Sequence, residues 1–290
     1  AGVAGAAPLA FAQNGPGVTD KEIKIGNTMP YSGPASGYSA QGRVQAAYYN
    51  MINSKGGVNG RKIVFLSYDD GYSPPKTVEQ TRKLVEQDEV LATFGQLGTP
   101  TNSAIHKYMN QKKAPHLFIS TGADKWNDPK NYPYTIPLYP SYTMEAKVAA
   151  HYILQAKPNA RIGVLFQNDD FGKDYLKGLK EGLGDKAASL IVKEQPYEVG
   201  SPTLDSQMIA LKQSGADVFF CITVPKFGAQ AIKKAAEIDW KPLFYIVSVS
   251  SHIKTALEPA GLENAKGLIS ALAFKIPSDP RWADAQDVKD

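Results

Sequence analysis

One cysteine, Cys221, stands in 290 residues, so an intrachain disulfide is impossible and a small cross-linked secreted scaffold is excluded. Long apolar runs are missing as well: nothing after the first dozen residues reaches the ~18 apolar residues of a membrane-spanning helix. Charge of one sign is nowhere concentrated. The 32 Lys and Arg are interleaved with 28 Asp and Glu, net +4, which argues against nucleic acid as a partner. Phosphate loops are absent, since G-x-x-x-x-G-K-[ST] does not occur and no G-x-G-x-x-G follows the first strand pattern. His106, His116, His151 and His252 show no metal-ligand spacing, and "GYSAQG" lacks the second glycine of a nucleophile elbow at the required spacing. No metal or cofactor is expected.

What is present is the composition of a globular protein, 43% hydrophobic and 21% charged, long enough for two moderate cores. Residues 1–12, "AGVAGAAPLAFA", are small and apolar and end in Ala10-Phe11-Ala12. They read as the tail of a secretory signal with an A-x-A cleavage site, or as a disordered start. Cys221, inside "DVFFCIT", reads as a buried strand thiol. It stands too far from the amino terminus to carry a lipoprotein anchor, so the export signal points to a free periplasmic protein.

Short apolar runs alternate with helical patterns about every 30 residues. Residues 22–29, 62–68, 90–96 and 114–120 predict four buried parallel strands. Between the first two, Val44, Tyr48 and Ile52 share a face of a helix over 41–54, and a second helix over 75–88 carries Val78, Leu84 and Val85. "NYPYTIPLYPSY" (131–142) breaks the rhythm and reads as a crossing between lobes. A second series follows, with strands at 161–167, 189–195, 217–223 and 243–249. Its helices lie at 143–156, 171–183 and 226–238, and a further one opens on Ser201-Pro202. "KGLISALAFK" (266–275) reads as one more strand before the chain stops where a new helix starts. The pattern is α/β, an open parallel sheet with helices on both faces in each of two lobes.

In such sheets ligands sit beyond the carboxyl ends of the strands. The loops there are rich in glycine and hydroxyls, above all "GQLGTPT" (95–101) and "STGADKW" (120–126). Small residues let backbone N–H groups reach a carboxylate or other acceptor without an arginine. Tyr31, Tyr38, Tyr72, Trp126, Phe171 and Phe227 are the aromatics expected to enclose an apolar body. The pairs Asp69-Asp70 and Asp169-Asp170 point to opposite sides of an extended backbone, so capping of the following helices accounts for them better than paired-carboxylate chemistry.

The stretch "IKIGNTMPYSGPASGYSAQGRVQAAYYNMINSKGGVNGRKI", with "YDDGYSPPKTVEQTRKLVEQDEV", "FISTGA" and "NDDFGKDYLKGLKEGL", resembles the type I periplasmic binding proteins. Within them it is similar to the Leu/Ile/Val-binding and amide-binding family of ABC-transporter solute receptors. The resemblance runs through about residues 20–280. It implies two doubly wound lobes, assigned here as 20–137 with 252–276 and 138–251 with 277–290 after a flexible start at 1–19, and a carboxy-terminal continuation beyond this chain. It also implies a monomeric, non-enzymatic receptor that closes on a small-molecule ligand, with hinges near Pro137–Ser141 and Val249–His252, and hands it to an inner-membrane ABC permease without entering the membrane itself. The ligand contacts it implies, joined to those read from the loops, are Tyr31, Ser32, Tyr38, Gln96, Gly98, Thr99, Ser120, Thr121, Gly122, Asp124, Asn168, Phe171, Thr223, Val224 and Ser248. Amino-acid receptors of this family commonly place a glutamate at the equivalent of "IVSVSS"; this chain has Ser248-Val249. The expected ligand is therefore a small organic molecule with a carboxylate or amide and an apolar or aromatic body. An amino-acid receptor, with Asp124 taking the ammonium, is the alternative; a small hydrolase using Asp70 or Asp170 and a signalling sensor domain of the same fold are the other classes.

Overall fold

The computed structural model describes residues 15–276 and 279–286. The expected signal remnant, residues 1–12, lies outside them. The first series runs β1 (Glu22–Met29), α1 (Ala40–Ser54), β2 (Lys62–Asp69), α2 (Pro74–Arg82), β3 (Ala92–Phe94), α3 (Thr99–Gln111), β4 (His116–Ile119) and β5 (Thr135–Pro137). The second runs α4 (Tyr142–Ala156), β6 (Ile162–Gln167), α5 (Asp170–Leu183), α6 (Ala187–Leu190), β7 (Ile191–Tyr197), α7 (Asp205–Gln213), β8 (Val218–Ile222), α8 (Pro225–Glu237) and β9 (Leu243–Ile246). They form two sheets, β2-β1-β3-β4-β5 and β7-β6-β8-β9, parallel throughout. The expected α/β fold is thus observed. Continuous burial makes β6 and β8 the floor of the second core, with Ile162, Val164, Leu165 and Val218 through Ile222 at 0% exposure, as strands covered on both faces require. Cys221 lies among them, and burial pushes its thiol up to about 12.

Several expectations are corrected. The line Val44–Tyr48 is solvent-exposed. α1 instead turns Gly42, Gln45 and Tyr49 toward the sheet: Gly42 is buried, Gln45 accepts a hydrogen bond from Asn27 (2.6 Å), and Tyr49 packs edge-on against Phe65 and Phe94. Hydrophobic spacing named the wrong face because the inward contacts are polar and aromatic. α7 begins at Asp205 rather than at Ser201, whose N–H closes a turn on the Glu198 carbonyl. Pro137, read as part of the crossing, ends the edge strand β5, where a missing N–H costs no ladder bond.

Residues 252–276, expected on the first lobe, pack on the second. The helical turns Ile253–Leu257 and Glu258–Ala260 lie on α8, and Ile269 pairs with Tyr245 on the edge of β9. The expected strand over 266–275 is reduced to that one bridge. Gly267, at φ 84°, turns the chain onto the edge, and Leu272 and Phe274 then face solvent. The hinge expected at Val249–His252 is accordingly not a crossing.

Two buried histidines organise the ends of β3 and β4. Asn102 donates its amide hydrogens to the carbonyls of Gln96 and Gly98, so its oxygen must accept from Nε2 of His116 (2.8 Å). That fixes a neutral tautomer, and a second ring proton would meet no partner at Nδ1. Burial, with His106 adding repulsion, lowers His116 to about 3; burial also lowers His106, stacked on Tyr132, to about 4.

Because both folded values lie below the ordinary ~6.5, the unfolded chain takes up protons first as pH falls. The histidines' contribution is intact above about 6.5 and is lost progressively on the way down to their folded values, by about 1.4 kcal/mol per pH unit each. Urea unfolding of the wild type and of His116→Gln at pH 7 and pH 5 should therefore show a smaller acid loss in the variant; equal losses would remove His116 as the cause.

Candidate functional site

The carboxyl ends of both sheets converge on one cavity of about 290 Å³. Nearly every strand sends a residue to it. Tyr38 and Gln41 come after β1, Tyr72 after β2, Gly98 and Thr99 after β3, Ser120 after β4 and Tyr139 after β5. From the second sheet Phe171 follows β6, Val224 follows β8 and Ser248 and Val249 follow β9. This is where an open parallel sheet presents helix amino termini and loops to a ligand.

Gly98 is the close-approach point of the first sheet. Its φ of 103° suits glycine, and a Cβ there would lie 2.5 Å from the Tyr72 ring. Thr99 opens α3 without a side-chain cap, and its hydroxyl pairs with that of Thr121 at 2.6 Å. Ser120 donates to Gln41 (3.1 Å). The aromatic wall is continuous: Tyr142 packs edge-on against Phe171 at 5.2 Å, and Tyr139 sits 6.2 Å from Tyr142. Burial raises the phenols of Tyr38, Tyr72 and Tyr142 well above their ordinary range, so they stay neutral donors.

The two sheets touch across the cavity. The Tyr38 hydroxyl donates to the Val249 carbonyl (2.9 Å), Lys125 pairs with Asp170 (2.8 Å), and the Asp124 N–H donates to Asp174 (2.8 Å). Three carboxylates stand near the wall, Glu145, Asp124 and Asp169, and each accepts hydrogen bonds, Asp169 from the Gln167 amide (2.6 Å) and the Gly172 N–H (3.2 Å). Glu145 accepts from the N–H and hydroxyl of Ser248 (2.8 and 2.6 Å) and from Tyr175 (2.7 Å); burial raises its pKa, and those bonds offset part of the shift. Asp124 accepts from Ser141 (2.7 Å), Thr143 (2.6 Å) and Lys177 (3.2 Å). Burial raises its pKa, yet these bonds outweigh burial and the net shift is downward.

Of the expected contacts, Tyr38, Gly98, Thr99, Ser120, Phe171, Val224 and Ser248 line the cavity. Thr121, Gly122 and Asp124 instead border a separate polar pocket beside Trp126, because the Tyr142 ring fills the space over Gly122. Tyr31 pairs with Ser67, Ser32 with Asp69, and Asn168 with Glu198. Gln96 is buried, donating to Thr28 and Thr81, and Thr223 is buried against Ser250. None of these five lines the cavity. Trp126 donates to Thr121, and Phe227 packs on Tyr197, so neither encloses a ligand there. Spacing alone missed Tyr139 and Tyr142; the density of tyrosine in "NYPYTIPLYPSY" was the available signal. Asp169 caps α5 through the Gly172 N–H as expected, whereas Asp70 binds the Tyr72 N–H and the Thr77 hydroxyl in the turn before α2.

A sequence model of the periplasmic binding protein family matches residues 22–289. Among curated proteins the chain is 24% identical over 245 residues to the Leu/Ile/Val-binding protein homolog 7 of Brucella abortus, covering 81% of this chain and 60% of that protein. It is 27% identical over 194 residues to the leucine-specific-binding protein of Salmonella typhimurium, covering 65% and 50%. This chain thus spans half to three-fifths of these relatives' length. A substrate-binding periplasmic protein from Ralstonia solanacearum superposes with a TM-score of 0.81 at 23% identity, over 88% of this chain and 72% of that one. That likeness shows the fold.

Gly98→Ala should weaken ligand binding at least tenfold, because the added methyl meets the Tyr72 ring. The positive φ should cost stability of roughly 1 kcal/mol. Calorimetric titration beside urea unfolding separates the two effects, and unchanged affinity would place the ligand elsewhere.

Proposed function

The chain belongs to the periplasmic binding protein family, and from that premise we propose that it is the solute-binding receptor of an ABC importer. In this reading it is an exported, periplasmic monomer without catalytic activity. Two lobes, one on each sheet and linked by the crossing at 137–142, close on a ligand and present the closed form to a membrane permease. The ligand is a small organic molecule with a carboxylate or amide and an apolar or aromatic body, held by Tyr38, Gly98, Thr99, Ser120, Phe171, Val224 and Ser248, with Tyr72, Tyr139 and Tyr142 added to the wall.

The engagement of the nearby carboxylates carries the proposal: Glu145, Asp124 and Asp169 each already accept hydrogen bonds from within the protein. An ammonium brought into a closed cleft needs an anion, and leaving it unpaired costs several kcal/mol. Glu145 is held by three neutral donors and Asp124 by two hydroxyls and Lys177. The uncapped start of α3 supplies partial positive charge for an acceptor group. The names of the relatives favour a second reading, a receptor for leucine or another branched-chain amino acid. In that case Asp124 or Glu145 exchanges its present partners for the ammonium.

Thermal unfolding against branched and aromatic amino acids, their counterparts without the ammonium, and short amides separates the two. A ligand at ~1,000 times its dissociation constant adds about 4 kcal/mol of stability. The acids or amides should raise the melting temperature and the amino acids should not; the reverse pattern overturns the ligand class.

A further inference from the structure

A second cavity of about 420 Å³ adjoins the cleft, and Tyr139, Ser248 and His252 line both. Tyr139 is the partition. Its ring centroid lies 6.2 Å from that of Tyr142 in the cleft, and it packs edge-on against Phe274 of the second cavity at 5.5 Å. The amide and hydroxyl of Ser248 are turned to Glu145, so this stretch of the partition asks for no polar group from a ligand. Beyond it the lining is mostly apolar, Ile253, Leu272, Ala273, Phe274 and Ile276 beside Ser251 and Lys275, and it is open to solvent at Leu272 and Phe274. The ammonium of Lys254 at the rim is paired with Glu258 at 2.7 Å, which leaves that residue's hydrocarbon stem as lining.

We infer that the two cavities form one bent site for a single elongated ligand. Its acceptor group sits at Thr99 and Ser120, and an unbranched hydrocarbon tail passes Tyr139 into the chamber beneath Phe274. The cleft alone is at the small end of the ~300–1,000 Å³ of small-molecule sites, and the two chambers together fall inside that range. A tail is specified rather than a second polar group because most of the far chamber's lining is aliphatic and aromatic carbon, and of its two lysines Lys254 is paired with Glu258 and Lys275 lies 5.4 Å from the Trp282 ring centroid. This inference rests on the proposed receptor function and narrows its ligand class.

The test is calorimetric titration of the protein with butanoate, hexanoate, octanoate and decanoate. Affinity should rise roughly fourfold per methylene once the tail passes Tyr139, the factor corresponding to ~0.8 kcal/mol per buried CH₂. Ala273→Trp and Leu272→Arg change solvent-exposed residues that line the far chamber only. Each should abolish the gain for octanoate and decanoate while butanoate binds as in the wild type. Binding of short acids with no gain from length, or a gain that survives both substitutions, overturns the second chamber and leaves the receptor function standing. Failure of every acid to bind overturns the acid-receptor reading and this inference with it.

Discussion

A half-buried carboxylate held by neutral donors shapes the wall of the cleft. Glu145, in the first turns of α4, is satisfied by the backbone and hydroxyl of Ser248 and by the Tyr175 phenol. Leaving such a group unpaired in a core costs several kcal/mol. The loop after β9, the helix that follows the crossing and α5 must therefore keep one arrangement. Through Ser248 the same bonds place Val249, whose carbonyl receives the Tyr38 hydroxyl from the first sheet. Satisfying one carboxylate thus sets the position at which the two sheets meet.

Around that anchor the sheets share apolar contacts, since Met29, Ala35, Tyr72 and Leu97 belong to the same buried cluster as the second core, while the ion pairs between them are partly exposed. Lys125–Asp170 and Lys177–Asp124 lie at the surface, where an ion pair contributes at most about 1 kcal/mol. Contacts this weak separate at little cost, whereas the tyrosine wall buries apolar area only against something apolar. Such a balance suits a cleft whose closed form depends on its contents. The loop at Gly98 is treated differently. His116, through Asn102, holds its carbonyls from below, so the first-sheet side of the cavity is rigid where a ligand's acceptor group would rest.

The strands were legible because their signal is local. Runs of β-branched and aromatic residues at regular intervals predicted nine; eight lie where expected within a few residues, the ninth at 266–275 is only a single bridge, and β5 is the addition. The glycine and hydroxyl loops were legible for a related reason: Gly98 stands where only a residue without Cβ avoids Tyr72. Side-chain direction was not legible. α1 shows why, since Val44 and Tyr48 made the better apolar stripe while Gln45 and Tyr49 made the contacts. A helix face is chosen by what lies opposite it, and periodicity does not record that.

The sequence alone determined the α/β class, the two series of parallel strands, the end of the sheets at which a ligand would sit, and the family. Each follows from short-range pattern, which the chain carries within windows of a few residues. Tertiary structure decided which candidates share the cavity, that Asp124 is spent on Ser141, Thr143 and Lys177, that Glu145 holds Ser248, and that residues 252–276 pack on the second sheet. These depend on groups as far apart as Tyr38 and Val249, 211 positions along the chain, meeting in space. A hydrogen bond between Glu145 and Ser248 leaves no trace in the residues near either one.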